Sequence, residues 1–404
     1  MKLDNNINKI SKKILKEHKL CDNCLGRQFS KKIIKNKTLG SLIRKQINVK
    51  QTRKSCFICE GMMSNIQKNT NKIITEIEKF ECSTFMLGTI LNSEFMERED
   101  FIRAEYKVKG GETIKSEITK ETSKIISQKM NKRVSLTKPD INILVDNIFD
   151  IIKITPKSIF IYGFYLKSIR GINQKKKRCN NCKTKGCDNC KFTGFNDLPS
   201  VEEEIQKYLI KKFNAKNIII SWIGSEDSKS LVKNNGRPFF AEIQEPAKRK
   251  VIFRNKKMNH GVVIKNIKIL SNKPPIDYNF ILELKVNIKS NCSNKKKIKK
   301  LENENKEKEI LVFSTNKNKH FTRKIYSIKI RKITDKGFSA KLICEGGINI
   351  KKLISGENNE ISPSFSQILK AKCSTSSRAP FDIYKVELKN EQLINVQKRN
   401  KSRK

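Results

Sequence analysis

Long apolar runs are missing from this sequence. No stretch of about 18 consecutive apolar residues occurs, so no membrane-spanning helix is expected. The N-terminus also lacks an apolar signal core. Leu3, Ile7, Ile10 and Ile14 recur at helical spacing among lysine and asparagine, which predicts an amphipathic helix packed on the first domain. A membrane-surface helix fits less well, because the apolar face is narrow and carries no aromatic. With no secretory signal a cytoplasmic setting is expected and disulfides are not. Acidic residues are scarce: 40 stand against 87 basic ones, a formal charge of +47. Such a chain repels itself unless it meets a polyanion, so nucleic acid leads as partner and an anionic membrane trails. Lys, Asn and Ile are all abundant, as an AT-rich genome would also produce, so the charge supports RNA binding without identifying the RNA.

What is present is informative. The 404 residues allow two or three domains, and 37% apolar content suffices for real cores. Eight of the twelve cysteines form four C-x-x-C pairs: Cys21/Cys24, Cys56/Cys59, Cys179/Cys182 and Cys187/Cys190. Each pair supplies half a tetrahedral thiolate site and needs a partner, which favours structural zinc over reduced buried thiols. The first two pairs together suit a zinc ribbon and the last two a compact knuckle, although ligands so close strain one tetrahedron. Cross-pairing of the groups is open from sequence alone. Cys82, Cys292, Cys344 and Cys373 have no histidine neighbour at ligand spacing and read as core or surface thiols.

The second informative stretch is 221–249, SWIGSEDSKSLVKNNGRPFFAEIQEPAKR. The β-branched run 217–222 reads as a buried strand, which puts Asp227 on the loop that leaves it. A carboxylate there, with a rigid Gly236-Arg237-Pro238 turn following, can be held beside a guanidinium and kept ionised. An isolated Glu-Asp on a loop would otherwise be a solvated turn. Ser200 and Glu203 form a capping box that starts a helix to Phe213. Further strands are expected at 238–243, 261–270, 280–288, 325–333 and 338–344, several with one apolar and one basic face. Upstream, 63–79 and 113–130 read as helices, and 84–91, 141–145 and 158–166 as strands. Residues 290–309 read as a disordered basic insert and 398–404 as a basic tail.

In their order, these segments resemble the archaeal and eukaryotic tRNA pseudouridine synthases that carry an N-terminal THUMP-type domain. Gly224, Glu226, Asp227, Gly236, Arg237, Pro238, Phe239, Glu242, Pro246 and Arg249 fall on that family's G-[RG]-E-D, G-R-P-F and E-x-x-x-P-x-x-R pattern. Residues 21–29, CDNCLGRQF, match its opening, Cys56 to Cys59 its second half-site, and 179–194 its cysteine knuckle, with Thr184 where a glycine is usual. Residues 346–357, GGINIKKLISGE, resemble its G-G-L-Y-I-K-E-L-I-S-G-D, and 363–369 its P-S-x-S-x-L-L.

The resemblance implies an α+β protein. An N-terminal zinc-binding THUMP-like α/β module (1–178) would be followed by a cysteine knuckle and linker (179–198). A mixed, mostly antiparallel-sheet pseudouridine synthase domain (199–404) would complete it. It implies an isomerase with no organic cofactor, acting on uridine 54 or 55 of the tRNA T-arm loop and gripping the acceptor side, as a monomer. Asp227 would be the nucleophile and Lys351 its cationic partner. Tyr278 or Phe280 would stack on the base, and if Phe280 aligns, the phenol is missing and another base must take the proton. Arg170, Lys175, Lys176, Lys177, Arg178, Arg237 and Arg249 are assigned to RNA, although a basic residue taken alone reads more readily as a solvated side chain. Three positions depart from the pattern: Ser225 replaces a basic residue and Asn349 a tyrosine. In addition, the arginine of G-D-x-x-R-T-x-P-S is lost from 356–364, GENNEISPS. The alternatives are a THUMP-bearing methyltransferase or thiolase, disfavoured because no Gly-rich nucleotide loop follows a strand, and a non-catalytic zinc-ribbon RNA-binding protein.

Overall fold

The computed structural model describes residues 4–30, 34–51, 55–275, 278–304, 306–314 and 318–389; the basic tail predicted at 398–404 lies outside them. The chain divides into two compact units, 1–157 and 158–404.

The first unit runs α1 (Asn5–Glu17), α2 (Asp22–Gln28), α3 (Asn36–Ile47), α4 (Ile66–Ile77), β1 (Thr84–Ile90), α5 (Ser93–Glu105), α6 (Ile114–Met130), β2 (Arg133–Val134), β3 (Ile141–Asp146) and β4 (Ile151–Pro156). Ile14, on the predicted amphipathic helix, is fully buried with Leu25, Ile43 and Ile58 in a core that also holds the first four cysteines. The sheet has order β2-β1-β3-β4, with β1 parallel to both neighbours and β3 antiparallel to β4. Every second residue of β1 is buried, and Phe85 and Leu87 pack with Ile73 and Ile77 of α4 and Ile126 of α6. Burying each such side chain stabilises by about 1.5–3 kcal/mol. Thr113 caps α6, accepting from the Ser116 amide at 3.2 Å, and Asn131, left-handed at φ 50°, ends it.

The second unit comprises β5 (Ile159–Lys167), α7 (Val201–Phe213), β6 (Asn217–Trp222), β7 (Val232–Gln244), β8 (Lys256–Lys257), β9 (Val262–Leu270), β10 (Phe280–Ser290), α8 (Lys295–Glu304), β11 (Lys308–Ser314), β12 (Lys319–Thr334), β13 (Gly337–Glu345), α9 (Ile350–Ser355), β14 (Ile361–Ser362), α10 (Phe365–Leu369), β15 (Cys373–Thr375) and β16 (Phe381–Leu388). Its described strands form one twelve-stranded sheet, β14-β11-β12-β13-β10-β16-β7-β5-β9-β8, with β15 on β10 and β6 on β7. All pairs are antiparallel except β16 with β7. Ser200 caps α7 as predicted, and Val201, Ile205, Leu209 and Phe213, four apart, bury its inner face.

Two boundaries differ from the sequence reading. The strand assigned to the N-terminal module is β5, hydrogen-bonded between β7 and β9, so the chain divides after Lys157 rather than Arg178. The insert 290–309 is not featureless: it contains α8, whose Ile298 and Leu301 are buried and whose Glu302 accepts from the Ile330 amide of β12 at 2.5 Å. Two apolar residues three apart dock this helix, too few to register against its lysine-rich composition.

Candidate active site

The loop between β6 and β7 is held from beneath by buried charge. Lys167 at the end of β5 and Arg237 on β7 are 0% and 1% exposed, and both converge on the fully buried Glu226, at 2.9 and 3.6 Å. The Tyr165 hydroxyl donates to Glu226 Oε2 at 2.8 Å and accepts from Gln174 Nε2 at 3.0 Å. Burial first, and the Glu226 charge with it, push the Tyr165 phenol far above its usual range, so it stays a donor. Lys167 Nζ also donates to the carbonyls of Ile172, Asp227 and Ser228 at 3.0, 3.2 and 3.3 Å. Arg237 donates to those of Ile223 and Ser225 at 3.0 and 2.8 Å. Buried ions must be paired and hydrogen-bonded in this way to be tolerated. The arrangement therefore fixes the backbone of 223–228 rather than reaching solvent.

Asp227 faces the other way. Its Oδ1 accepts from the Lys229 amide at 2.8 Å and its Oδ2 pairs with Lys351 Nζ at 2.5 Å. Burial raises its pKa, but Lys351 and the Lys229 amide outweigh that and bring it below the usual carboxylate value. The cation that keeps it ionised is thus Lys351, and the Arg237 guanidinium expected to do so is spent on Glu226. Lys351 is placed by α9, where Asn349 accepts from the Lys352 amide at 3.3 Å. The asparagine that departs from the resembled pattern is therefore the helix cap. Lys352 in turn pairs with Glu360 at 2.5 Å. The pattern has glutamate and arginine at these two positions, so the lost arginine reappears as a pair with its charges exchanged.

Of the two aromatics, Phe280 borders the loop. Gly224 has φ +74°, and a Cβ there would lie 2.8 Å from both Phe280 Cζ and Arg237 Nη2; Gly346 leaves no room for a Cβ against the same ring. Tyr278 instead stacks on Phe240, centroids 4.8 Å apart, and burial raises its phenol, which has no hydrogen-bond partner among the described residues, to about 12. Arg323 on β12, not anticipated, donates to Gly346 O at 2.9 Å and lies over the Phe321 ring.

Two of the arginines assigned to RNA are engaged within the protein. Arg237 is buried beneath the loop. Arg170 pairs with Asp382 at 2.7 Å and donates to Lys229 O at 2.5 Å, so it ties the loop to β16. Lys175, Lys177 and Arg178 are exposed, Lys176 lies 5.9 Å over Phe195, and Arg249 is half-buried. Lys167, Glu226, Tyr165, Gln174 and Asp382 were not singled out. Their partners lie on distant strands, and only Glu226 carried a signal, as the neighbour of Asp227.

The cysteines gather into two groups, Cys21/Cys24/Cys56/Cys59 and Cys179/Cys182/Cys187/Cys190, each with its sulfurs within 4.8 Å of one another. This resolves the pairing: no cross-pairing occurs. Sulfur separations of 3.6–3.8 Å suit a tetrahedron with metal–sulfur bonds of about 2.3 Å, which has edges of about 3.8 Å, and rule out S–S bonds. Either group can hold a metal ion. The close spacing of the knuckle is accommodated by positive φ at Lys183, Thr184, Lys191 and Phe192. Arg27 braces the first group, paired with Glu99 and Glu117 at 2.5 Å each and donating to Cys24 Sγ at 3.4 Å.

An aspartate paired with a lysine, on a loop that an aromatic ring borders, carried by a mixed sheet, is compatible with an RNA isomerase of the pseudouridine synthase class. Residues 70–146 match the archaeal Pus10 THUMP domain and residues 160–387 the Pus10 C-terminal domain. A tRNA pseudouridine synthase Pus10 of Nitrosopumilus maritimus is 35% identical over 94% of this chain and 98% of its own length. That of Pyrococcus furiosus is 29% identical over 89% and 93%. The chain belongs to the Pus10 family.

Proposed function

We propose that this chain isomerises uridine to pseudouridine in the T-arm loop of tRNA, at position 54, 55 or both, with Asp227 as nucleophile. The observation that carries this reading is the Asp227–Lys351 pair: a carboxylate that is partly exposed yet held ionised by an ammonium. The target uridine leaves its stack, at a cost of a few kcal/mol that phosphate contacts offset. Asp227 attacks the ribose or the base, or assists elimination at the sugar. The N1–C1′ bond breaks with its electron pair left on N1, the uracil turns, C5 bonds to C1′ as any bond to Asp227 is released, and the proton lost from C5 is matched by one gained at N1. Phe280 supplies the ring beside the base. It has no phenol to take that proton, and the buried Tyr278 hydroxyl does not replace it.

Zinc in both four-cysteine groups belongs to the same reading, as structural metal that fixes the ribbon and the knuckle. So do a monomeric state, a cytoplasmic setting and a hold on the acceptor side of tRNA by the THUMP domain. The test is to incubate the protein with an unmodified tRNA transcript and map pseudouridine by position. Product at 54 or 55 is expected, and none from wild type overturns the reading.

A further inference from the structure

The cysteine knuckle carries a side chain that its fold does not need. Phe192 is 74% exposed, at the turn that follows Cys190, and it has φ +59°. A bulky residue in the left-handed region is uncommon and strained. The conformation is held by backbone bonds on either side: the Phe192 amide to Cys187 O at 3.0 Å, the Lys191 amide to Asp188 O at 2.9 Å, and the Thr193 amide to Cys190 O at 3.0 Å. An exposed ring on a strained, tightly bonded turn contributes nothing to a core. Around it, Lys183, Lys185 and Lys191 are all exposed on the same small knuckle, and the described ion pairs of this protein include none of the three.

We propose that Phe192 is a stacking platform for one unpaired nucleotide of the bound tRNA, with Lys183, Lys185 and Lys191 as contacts to the adjoining phosphates. An aromatic face accepts any base, and the lysines make the surroundings attractive to a polyanion and unattractive to an apolar protein partner. The bonded turn holds the backbone that carries the ring in place before RNA arrives, so little backbone freedom is lost on binding. This assignment rests on the tRNA reading above but not on its chemistry. The ring belongs to binding and takes no part in the isomerisation.

The test is the affinity of the full chain for an unmodified tRNA transcript and for a blunt RNA duplex, for wild type, Phe192→Ala and Phe192→Tyr. Stacking of one base predicts roughly tenfold weaker tRNA binding by the alanine variant, retention by the tyrosine variant, and no loss for the duplex. Equal tRNA affinity of wild type and Phe192→Ala, or an equal loss on duplex, overturns the proposal. Should the alanine variant fail to fold, Phe192→Trp supplies a second readout. Its fluorescence should respond to tRNA beyond the response of Trp222, the single tryptophan of the native chain, and a response equal to wild type overturns it. Pseudouridine is scored in the same samples, so a chain that binds through Phe192 but makes no product contradicts the catalytic reading alone.

Discussion

The ammonium of Lys351 lies 2.5 Å from the carboxylate of Asp227, although one opens a short helix and the other sits on a loop on the far side of the sheet's sequence. The side chain of adjacent Glu226 is fully buried and holds the loop from beneath, while that of Asp227 is 20% exposed. The Glu-Asp dipeptide thus divides into a buried anchor and the proposed nucleophile.

Removing the cation should show in the pH profile. The folded pKa of Asp227 is depressed, so its ionised form persists across neutral pH, and the stability this contributes is present above the unfolded value and lost as pH falls through the folded one. Lys351→Met is expected to move the acidic limb of the turnover rate upward in pH and to lower the rate at neutrality. An unmoved limb would separate Lys351 from the ionisation of Asp227.

Breaking the buried floor should cost stability first. Lys167→Met takes from Glu226 its nearest cation, leaving it the 3.6 Å contact to Arg237 and the Tyr165 hydroxyl bond, and takes from the carbonyls of Ile172, Asp227 and Ser228 their donor; breaking a buried pair typically costs about 3–5 kcal/mol. A clear fall in thermal midpoint is expected, and Lys167→Met/Glu226→Gln should not recover it, because the buried Arg237 is then left without its carboxylate. Identical midpoints for wild type and the single variant would contradict the placement.

The Lys352–Glu360 pair should tolerate reversal. Each single charge change is expected to destabilise by up to about 1 kcal/mol, since both side chains retain some exposure, and Lys352→Glu/Glu360→Arg should recover most of it. Additive losses in the double variant would show that the two charges do not interact.

Metal content is countable. Two zinc ions per chain are expected, and Cys56→Ser/Cys59→Ser should remove one of them and loosen the first unit, where these thiols lie in the core with Ile14 and Leu25. Protein purified without chelator and free of zinc would refute the assignment.

The sequence made some of this legible and hid the rest for physical reasons. Some short-range signals worked: the β-branched run marked β6, although only Ile218 of it is buried where a buried strand was expected, a capping box marked α7, and C-x-x-C spacing marked the two four-cysteine groups. The Asp227 loop was visible because its glycines and its Arg-Pro turn lie close together in the chain. What stayed hidden depends on pairing between distant segments. Nothing near Arg170 announces Asp382, nothing near Glu226 announces Lys167, and the lysine-rich α8 docks through only two residues. Arginines that look like phosphate contacts in a basic chain turn out to be internal braces for the same reason.

Position-resolved mapping of pseudouridine in an unmodified tRNA transcript, treated with wild type or with Asp227→Asn, addresses the nucleophile itself. The substitution keeps the shape and removes the charge, so wild type should convert a T-arm uridine while the asparagine chain, still folded and still bound to tRNA, converts none. Conversion by the asparagine chain at the wild-type rate would contradict the role given to Asp227.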